Sequence, residues 1–210
     1  MSLDLLLSKD AQVETPTVYE EITPDIIQKD LGALRKVIAY WRVYPDKFVD
    51  YLCSLNPNNT FKFFFYQRLY LRAMLRYKHC YLVCPRGFSK SFLAVLALML
   101  KCILYPGSNV FVVSGGKEQS AGILSSKLSE LCRLIPALER EIVWDTRKSN
   151  TARTRDTRDS AVYTFKNGSS LENIAMTEKT RGRRFQSGLM EEAATLDQDM
   201  LNEVILPERI

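Results

Sequence analysis

The chain has 210 residues, of which 46% are hydrophobic and 25% are charged, and its formal net charge at pH 7 is +5. This composition is typical of a globular protein with one sizeable core, and it excludes collagen-like, low-complexity and largely disordered chains. The modest positive charge is compatible with a polyanionic partner but does not require one.

The cysteines and the apolar runs exclude further classes. An odd number of scattered cysteines without a secretory leader predicts reduced thiols in a cytosolic compartment. Cys80 and Cys84, with His79 as the single histidine, are too few for a zinc site. The most apolar stretch, 92–105, is too short to cross a bilayer and contains Lys101. We therefore expect no membrane partner.

The N-terminal third is predicted to be an arm followed by helices. Residues 1–30 are acidic and punctuated by prolines, which is typical of an extended arm. Residues 31–53 have apolar residues at helical spacing with a break near Pro45. After a turn cluster at 56–59, residues 61–77 combine aromatic residues and arginines at the spacing of an amphipathic helix.

Strand and helix patterns then alternate, which predicts a parallel sheet covered on both faces. A hairpin is expected around Asn167-Gly168, the strongest short-range signal for such a turn. The predicted segments are a buried strand at 80–85, a helix at 90–104, a buried strand at 109–115, a helix at 117–135, the hairpin at 160–176 and a strand leading into a helix at 186–205.

The segment "CPRGFSKS", 84–91, lies where a phosphate-binding loop belongs, between the first predicted strand and an apolar helix. Its Lys90 and Ser91 match the end of the pattern G-x-x-x-x-G-K-[ST], in which the lysine reaches the terminal phosphates and the hydroxyl binds magnesium. Cys84 and Ser89 stand where the pattern has glycine, and Gly87 provides one flexible position. A chance strand, turn and helix is the alternative.

Two further features of the sequence are typical of a site that binds and hydrolyses a nucleotide. Glu191 and Glu192 follow a short apolar stretch, and adjacent acids at a strand end can divide the tasks of coordinating magnesium and activating water. The alternative is a pair of acids that opens a helix. Upstream of the loop, the amide of Gln67 could read the donor and acceptor edge of adenine, although a lone glutamine is usually a surface residue.

The segment 145–160 has no apolar periodicity and is rich in basic residues. It is either a solvated loop or a segment that contacts a nucleic-acid backbone. The basic residues are Arg147, Lys148, Arg153, Arg155 and Arg158, of which the last three are the candidates for DNA binding.

In this order, these features resemble the ATPase domain of the large terminase subunit, the motor that packages DNA into the proheads of tailed bacteriophages. Arg86 matches an arginine that is frequent in the irregular phosphate loops of that family. The segments that carry the resemblance are "YQR" at 66–68, "CPRGFSKS" at 84–91, "VVSGGKEQS" at 112–120 and "TRGRRFQSGLMEEAATLD" at 180–197.

The resemblance implies a P-loop NTPase of the additional-strand class, with a mainly parallel sheet flanked by helices and an N-terminal helical appendage. Residues 1–58 would form the arm and helical segment, and 59–210 the ATPase core. The implied activity is ATP hydrolysis with Mg²⁺ that drives translocation of double-stranded DNA in the host cytoplasm. The implied partners are DNA, the portal protein, the small terminase subunit and further copies in a ring, whereas the isolated domain could be a monomer.

The resemblance also implies roles for individual residues. Lys90 would bind the β- and γ-phosphates, Ser91 and Glu191 the magnesium, and Gln67 the adenine. Glu192 would be the catalytic base. Arg86 would act on turnover, and Arg181 would reach the nucleotide of a neighbouring subunit. The complete implied ATP-binding set is Gln67, Arg86, Gly87, Phe88, Ser89, Lys90 and Ser91.

Two departures from the family affect these expectations. Glutamate occupies position 191, where the family more often has aspartate, and the chain ends before any nuclease domain. We expect either an excised fragment, which we favour, or a split gene product, and in both cases no DNA cleavage. The alternatives are a helicase-like, nucleic-acid-dependent ATPase, or a nucleic-acid-binding or assembly module whose degenerate loop does not hydrolyse ATP.

Overall fold

The fold is an α/β arrangement in which helices flank an open five-stranded sheet. The computed structural model describes residues 24–144, 154–175, 184–196 and 199. The helices are α1 Pro24–Val43, α2 Pro45–Ser54, α3 Phe65–Arg76, α4 Lys90–Leu104, α5 Lys117–Leu134 and α6 Pro136–Glu139. The strands are β1 Asn109–Val113, β2 Arg155–Asp156, β3 Ala161–Thr164, β4 Ser170–Asn173 and β5 Ser187–Met190, and a 3₁₀ turn covers Ala193–Thr195.

The sheet is mixed, with the strand order β2-β3-β4-β1-β5. Strand β1 runs parallel to both of its neighbours, β4 and β5. The β2–β3 and β3–β4 pairs are antiparallel. The expected mainly parallel sheet therefore describes only the β4-β1-β5 part, because the hairpin and the short β2 supply the two antiparallel pairs.

Helix α4 occupies the centre of the core. It is apolar around its whole circumference, which requires cover on all sides, and it packs against the sheet, α3 and α5. Arg42 from the end of α1 donates from Nε and Nη2 to the carbonyl oxygen of Leu104, at 2.9 and 2.7 Å, and so satisfies a carbonyl at the C-terminus of α4. Among the described residues, no helix is long and apolar enough to cross a membrane.

The predicted break near Pro45 is confirmed. Helix α1 ends at Val43 and α2 begins with Pro45, a position at which proline costs no helical hydrogen bond. Trp41, Phe48 and Val49 on either side of the break are buried in the same hydrophobic cluster as α4.

The predicted hairpin around Asn167-Gly168 is also confirmed. Gly168 has φ +81°, a left-handed conformation that glycine adopts without steric cost. The Asn167 side chain donates from Nδ2 to the carbonyl oxygens of Cys102 and Ile103, at 2.8 and 3.1 Å. The hairpin turn therefore also binds the last turn of α4 and fixes it against the sheet.

The predicted buried strand at 80–85 is wrong. The segment joins no strand of the described sheet, and Tyr81 and Val83 are each 79% exposed. An apolar run of this length is compatible with a strand, but its composition does not specify a strand partner. The loop that begins at Cys84 therefore follows a largely exposed segment outside the described sheet.

Candidate nucleotide-binding site

The loop before α4 contains two residues in the left-handed region of backbone conformation. Gly87 and Ser89 both have left-handed backbone conformations, with φ of +82° and +56°. Ser89 precedes the first residue of α4, and its carbonyl oxygen accepts a hydrogen bond from Leu93 N at 2.9 Å. Ser89 occupies the second glycine position of the phosphate-loop pattern, so the serine adopts the conformation for which the pattern uses glycine.

Lys90, Ser91 and Glu191 converge at the N-terminus of α4. Ser91 Oγ donates to Glu191 Oε1 at 2.6 Å, and Lys90 Nζ lies 3.8 Å from the same oxygen. Glu191 follows β5 directly, and its backbone N–H donates to Val113 O at 2.9 Å. Its side chain is buried among these partners, at 7% exposure for the residue.

Glu192 contacts a different part of the molecule. Its Oε2 accepts a hydrogen bond from Gln119 Nε2 at 3.3 Å, in the first turn of α5. It has φ +53° and is exposed. The two adjacent acids therefore have different partners.

A cavity of about 400 Å³ adjoins the loop and is lined by Lys90 and Ser91 among others. Gln67 lines it together with the loop, but Arg86, Glu191 and Glu192 do not. The remaining walls of the cavity come from the 61–92 region and from one face of α5. The lining residues are Phe61, Gln67, Pro85, Gly87, Phe88, Ser89, Lys90, Ser91, Phe92, Lys127, Glu130 and Leu134.

Gln67 is buried and its amide is already oriented. Its Oε1 accepts a hydrogen bond from Phe64 N at 2.9 Å, which caps the start of α3. Gln67 also belongs to the lining of the cavity. Tyr66 beside it packs on Phe88 of the loop with ring centroids 4.6 Å apart. Helix α3 and the loop are thereby joined.

The α5 wall of the cavity was not predicted from the sequence. Lys127 and Glu130 form an ion pair there, with Nζ and Oε2 at 2.8 Å, and Leu134 continues the same helix face. The only sequence signal is the spacing, since Lys127 and Glu130 are three residues apart and Leu134 follows four residues later. The same spacing is found in an ordinary solvated ion pair on a helix.

The remaining predicted residues lie elsewhere. Arg86 is exposed within the loop. Arg155 and Arg158 are exposed in and after β2, and Arg158 Nε donates to Glu118 Oε2 at 3.1 Å. Arg147, Lys148, Arg153 and Arg181 lie outside the described residues.

Comparison with known proteins adds no family assignment. No model of a known protein family matches the chain, and no curated protein matches its sequence significantly.

Proposed function

We propose that the chain binds ATP at the loop 84–91 and hydrolyses it. The observation that supports this proposal most strongly is the 2.6 Å hydrogen bond between Ser91 Oγ and Glu191 Oε1, with Lys90 Nζ 3.8 Å from the same oxygen. Ser91 and Glu191 are a hundred positions apart in the chain. The phosphate-loop pattern assigns Ser91 to magnesium, and the resemblance to large terminase subunits implies the same role for Glu191.

The oxygen donors present fit a magnesium ion. Mg²⁺ prefers hard oxygen ligands and usually takes one or two from the protein, with the rest from phosphate and water. Ser91 Oγ and the Glu191 carboxylate are two such ligands within hydrogen-bonding distance of each other. When bound, the ion would neutralise part of the charge on the transferred phosphoryl group.

The chain's own groups would then have separate tasks. The first N–H groups of α4 and the Lys90 ammonium would bind the phosphates, since a helix N-terminus favours anions. The Gln67 Nε2 donor would contact an acceptor on the base. The exposed Glu192 carboxylate would accept the proton of the attacking water.

We further propose that hydrolysis drives translocation of double-stranded DNA, as the resemblance to large terminase subunits implies. The exposed guanidinium groups of Arg155 and Arg158 are candidate phosphate contacts. Assembly as a ring with the portal protein and small terminase subunit, and action of Arg181 on a neighbouring subunit, belong to the same proposal.

The first experiment measures thermal unfolding with and without ATP and Mg²⁺. A ligand at a hundred times its dissociation constant stabilises the folded state by about 2.7 kcal/mol. Lys90→Ala should lose this stabilisation, whereas Lys166→Ala, which removes an equal charge from the exposed hairpin turn, should retain it. An unchanged unfolding midpoint of the wild type at saturating ATP would reject the nucleotide site.

The second experiment separates binding from hydrolysis. Glu192→Gln should retain ATP binding while turnover falls by roughly 10²- to 10⁴-fold, the usual contribution of a general base. Glu191→Gln should instead make activity depend more steeply on magnesium concentration. A wild type that binds ATP without releasing phosphate would favour the non-hydrolysing module.

DNA binding requires its own measurement. Replacing Arg155 and Arg158 by alanine should weaken duplex binding equally across sequences. The slope of log affinity against log salt should become shallower by about one for each phosphate that the variant no longer neutralises. If the slope were unchanged, the segment 154–160 would be an ordinary solvated turn.

A further inference from the structure

Glu192 has a partner that the proposed mechanism leaves without a role. Gln119 Nε2 donates to Glu192 Oε2 at 3.3 Å, and this hydrogen bond links the first turn of α5 to the turn after β5. Glu192 follows β5 in a left-handed conformation with φ +53°, which costs free energy for a residue other than glycine. The backbone conformation and the Gln119 amide thus both restrict this carboxylate.

The helical turn that carries Gln119 is itself anchored to the sheet. Asn173, at the end of β4, donates from Nδ2 to Lys117 O at 3.1 Å and lies 3.3 Å from Ser120 Oγ. The Asn173 Oδ1 atom accepts a hydrogen bond from Ala161 N of β3 at 2.7 Å. Asn173 and Ser120 are both buried. The buried hydrogen bonds give Gln119 a fixed base from which its amide reaches Glu192.

The charged neighbours of Gln119 are engaged by other residues. Lys117 Nζ lies 3.2 Å from Asp159 Oδ2, and Glu118 Oε2 accepts from Arg158 Nε at 3.1 Å. The donor to Glu192 Oε2 is the neutral amide of Gln119 itself, so this contact orients one oxygen of the carboxylate by a hydrogen bond.

We propose that Gln119 is a positioning residue for Glu192. Its amide holds one oxygen of the carboxylate so that the group faces the water that attacks the terminal phosphate. This role rests on the proposed ATP hydrolysis, in which Glu192 is the base, and it assigns a task to the segment 112–120. A misplacement of about 1 Å in a catalytic group can reduce a rate by roughly 100-fold.

The kinetic test compares three variants for ATP affinity and turnover. Gln119→Ala should lower kcat by roughly 10- to 100-fold while the dissociation constant of ATP stays unchanged. Gln119→Glu replaces the donor by a second carboxylate and should lose at least as much activity as alanine. Gln186→Ala removes an amide just before β5 and should retain wild-type kcat.

A double-mutant cycle identifies the group through which Gln119 acts. In a Glu192→Gln background, adding Gln119→Ala should cause no further loss of turnover, because the group that it positions is already gone. Losses that multiply, or a Gln119→Ala variant with wild-type kcat, would overturn the proposal while leaving ATP hydrolysis established.

A spectroscopic measurement keeps the proposal distinct from the proposed function. The side-chain carboxyl ¹³C resonance of Glu192, assigned from its loss in Glu192→Gln, should move in Gln119→Ala and should stay unmoved in Gln186→Ala. An unmoved resonance in Gln119→Ala would contradict the contact even in an active enzyme. If the resonance moves in Gln119→Ala but the wild type hydrolyses no ATP, the contact exists without a catalytic role. That outcome would overturn this proposal and the proposed function together.

Discussion

At the scale of single residues, the candidate site concentrates unusual backbone conformations. The described residues with positive φ other than glycine are Ser89 and Glu192. One lies directly before Lys90, and the other directly after Glu191. A left-handed conformation costs an L-residue roughly 1–2 kcal/mol, so it persists where the surrounding structure requires it. That both occur beside the converging residues supports a functional interpretation of the site.

Ser89 allows a direct test of this strain. Ser89→Gly should preserve ATP binding and leave the free energy of unfolding unchanged or raise it by up to about 1 kcal/mol, because relief of the left-handed strain offsets the extra flexibility of glycine. Ser89→Val should lower it by about 2 kcal/mol or more, since a β-branched residue fits this conformation poorly. Urea denaturation measures both, and equal stabilities of the two variants would contradict the strained loop.

At the scale of elements, strand β1 explains why β5 and its acids are placed as they are. Val110 and Val112 are buried in the large cluster around α4, whereas Phe111 and Val113 are buried in a smaller cluster on the opposite face. The smaller cluster also contains Phe185, which precedes β5, and Leu196, which follows the 3₁₀ turn. The segment that carries Glu191 and Glu192 is therefore fixed at both ends by apolar packing.

Gly188 is required in β5 because of this packing. It lies opposite Phe111 in the register, and a Cβ at Gly188 would overlap the Phe111 ring. The ring is buried and packs against Phe185 with centroids 4.9 Å apart, so it has no room to move. Gly188→Ala should lower the free energy of unfolding by about 1–3 kcal/mol, the usual cost of overpacking.

The matched control for this substitution is Gly122→Ala. Gly122 is exposed on α5 and has no atom within 4 Å of the added Cβ, so alanine should stabilise the helix by about 1 kcal/mol. Chemical denaturation of both variants provides the comparison, and a Gly188→Ala variant as stable as the wild type would mean that the Phe111 ring can move aside.

Helix α3, which carries Gln67, is fixed to α2 by buried charges. Asp46 is fully buried and accepts hydrogen bonds from Arg72 Nε and Nη2 at 2.6 and 2.8 Å and from Arg68 Nη1 at 3.1 Å. Burial raises the pKa of Asp46, but the hydrogen bonds and charges of Arg72 and Arg68 outweigh it and bring the pKa below its ordinary value. The carboxylate therefore stabilises the fold in its ionised form.

This depressed pKa fixes the sign of a pH dependence. The ionised Asp46 stabilises the fold fully above the pKa of about 3.9 that it has in the unfolded chain. This stabilisation is lost as the pH falls through the lower pKa that Asp46 has in the folded protein. Asp46→Asn should cost about 2–3 kcal/mol at pH 7, less than the 3–5 kcal/mol of a fully buried pair because both arginines are partly exposed.

Urea denaturation between pH 2 and 7 should show the difference between wild type and Asp46→Asn shrinking in acid. Asp50→Asn, which removes a more exposed partner of Arg68, should cost about 1 kcal/mol or less. A difference for Asp46→Asn that is constant across this pH range would contradict the low pKa.

The sequence predicted elements that are specified locally and missed those that depend on distant partners. Pro45 marks a helix break, Asn167-Gly168 a hairpin and the apolar run of α4 a buried helix by rules that act within a few residues. Tyr81–Val83 follows no such rule, since an apolar run becomes a strand only if another strand pairs with it. The resemblance of the motifs implied a shared magnesium ion for Ser91 and Glu191, whereas no role was predicted for Gln119.

At the scale of the whole molecule, the cysteine thiols differ in how deeply the fold buries them. Cys102 is fully buried beneath the hairpin, and burial raises its pKa. Burial, together with the charge of Glu139, raises the pKa of Cys132 to about 12. Cys80 is exposed in the extended segment before the loop. Since the thiolate is the reactive form, accessibility and pKa both predict strongly different alkylation rates.

Native-state alkylation with iodoacetamide at neutral pH should therefore modify Cys80 first, and Cys102 at the rate at which the core opens. Mass spectrometry of peptides at successive times measures each thiol separately. If Cys102 becomes accessible only by global unfolding, its rate should fall when the fold is stabilised and rise in Gly188→Ala in proportion to the loss of stability, whereas the Cys80 rate should stay constant. Alkylation of Cys102 as fast as that of Cys80 would mean that α4 and the hairpin separate without unfolding of the sheet, and the single closed core inferred for this part of the chain would be wrong.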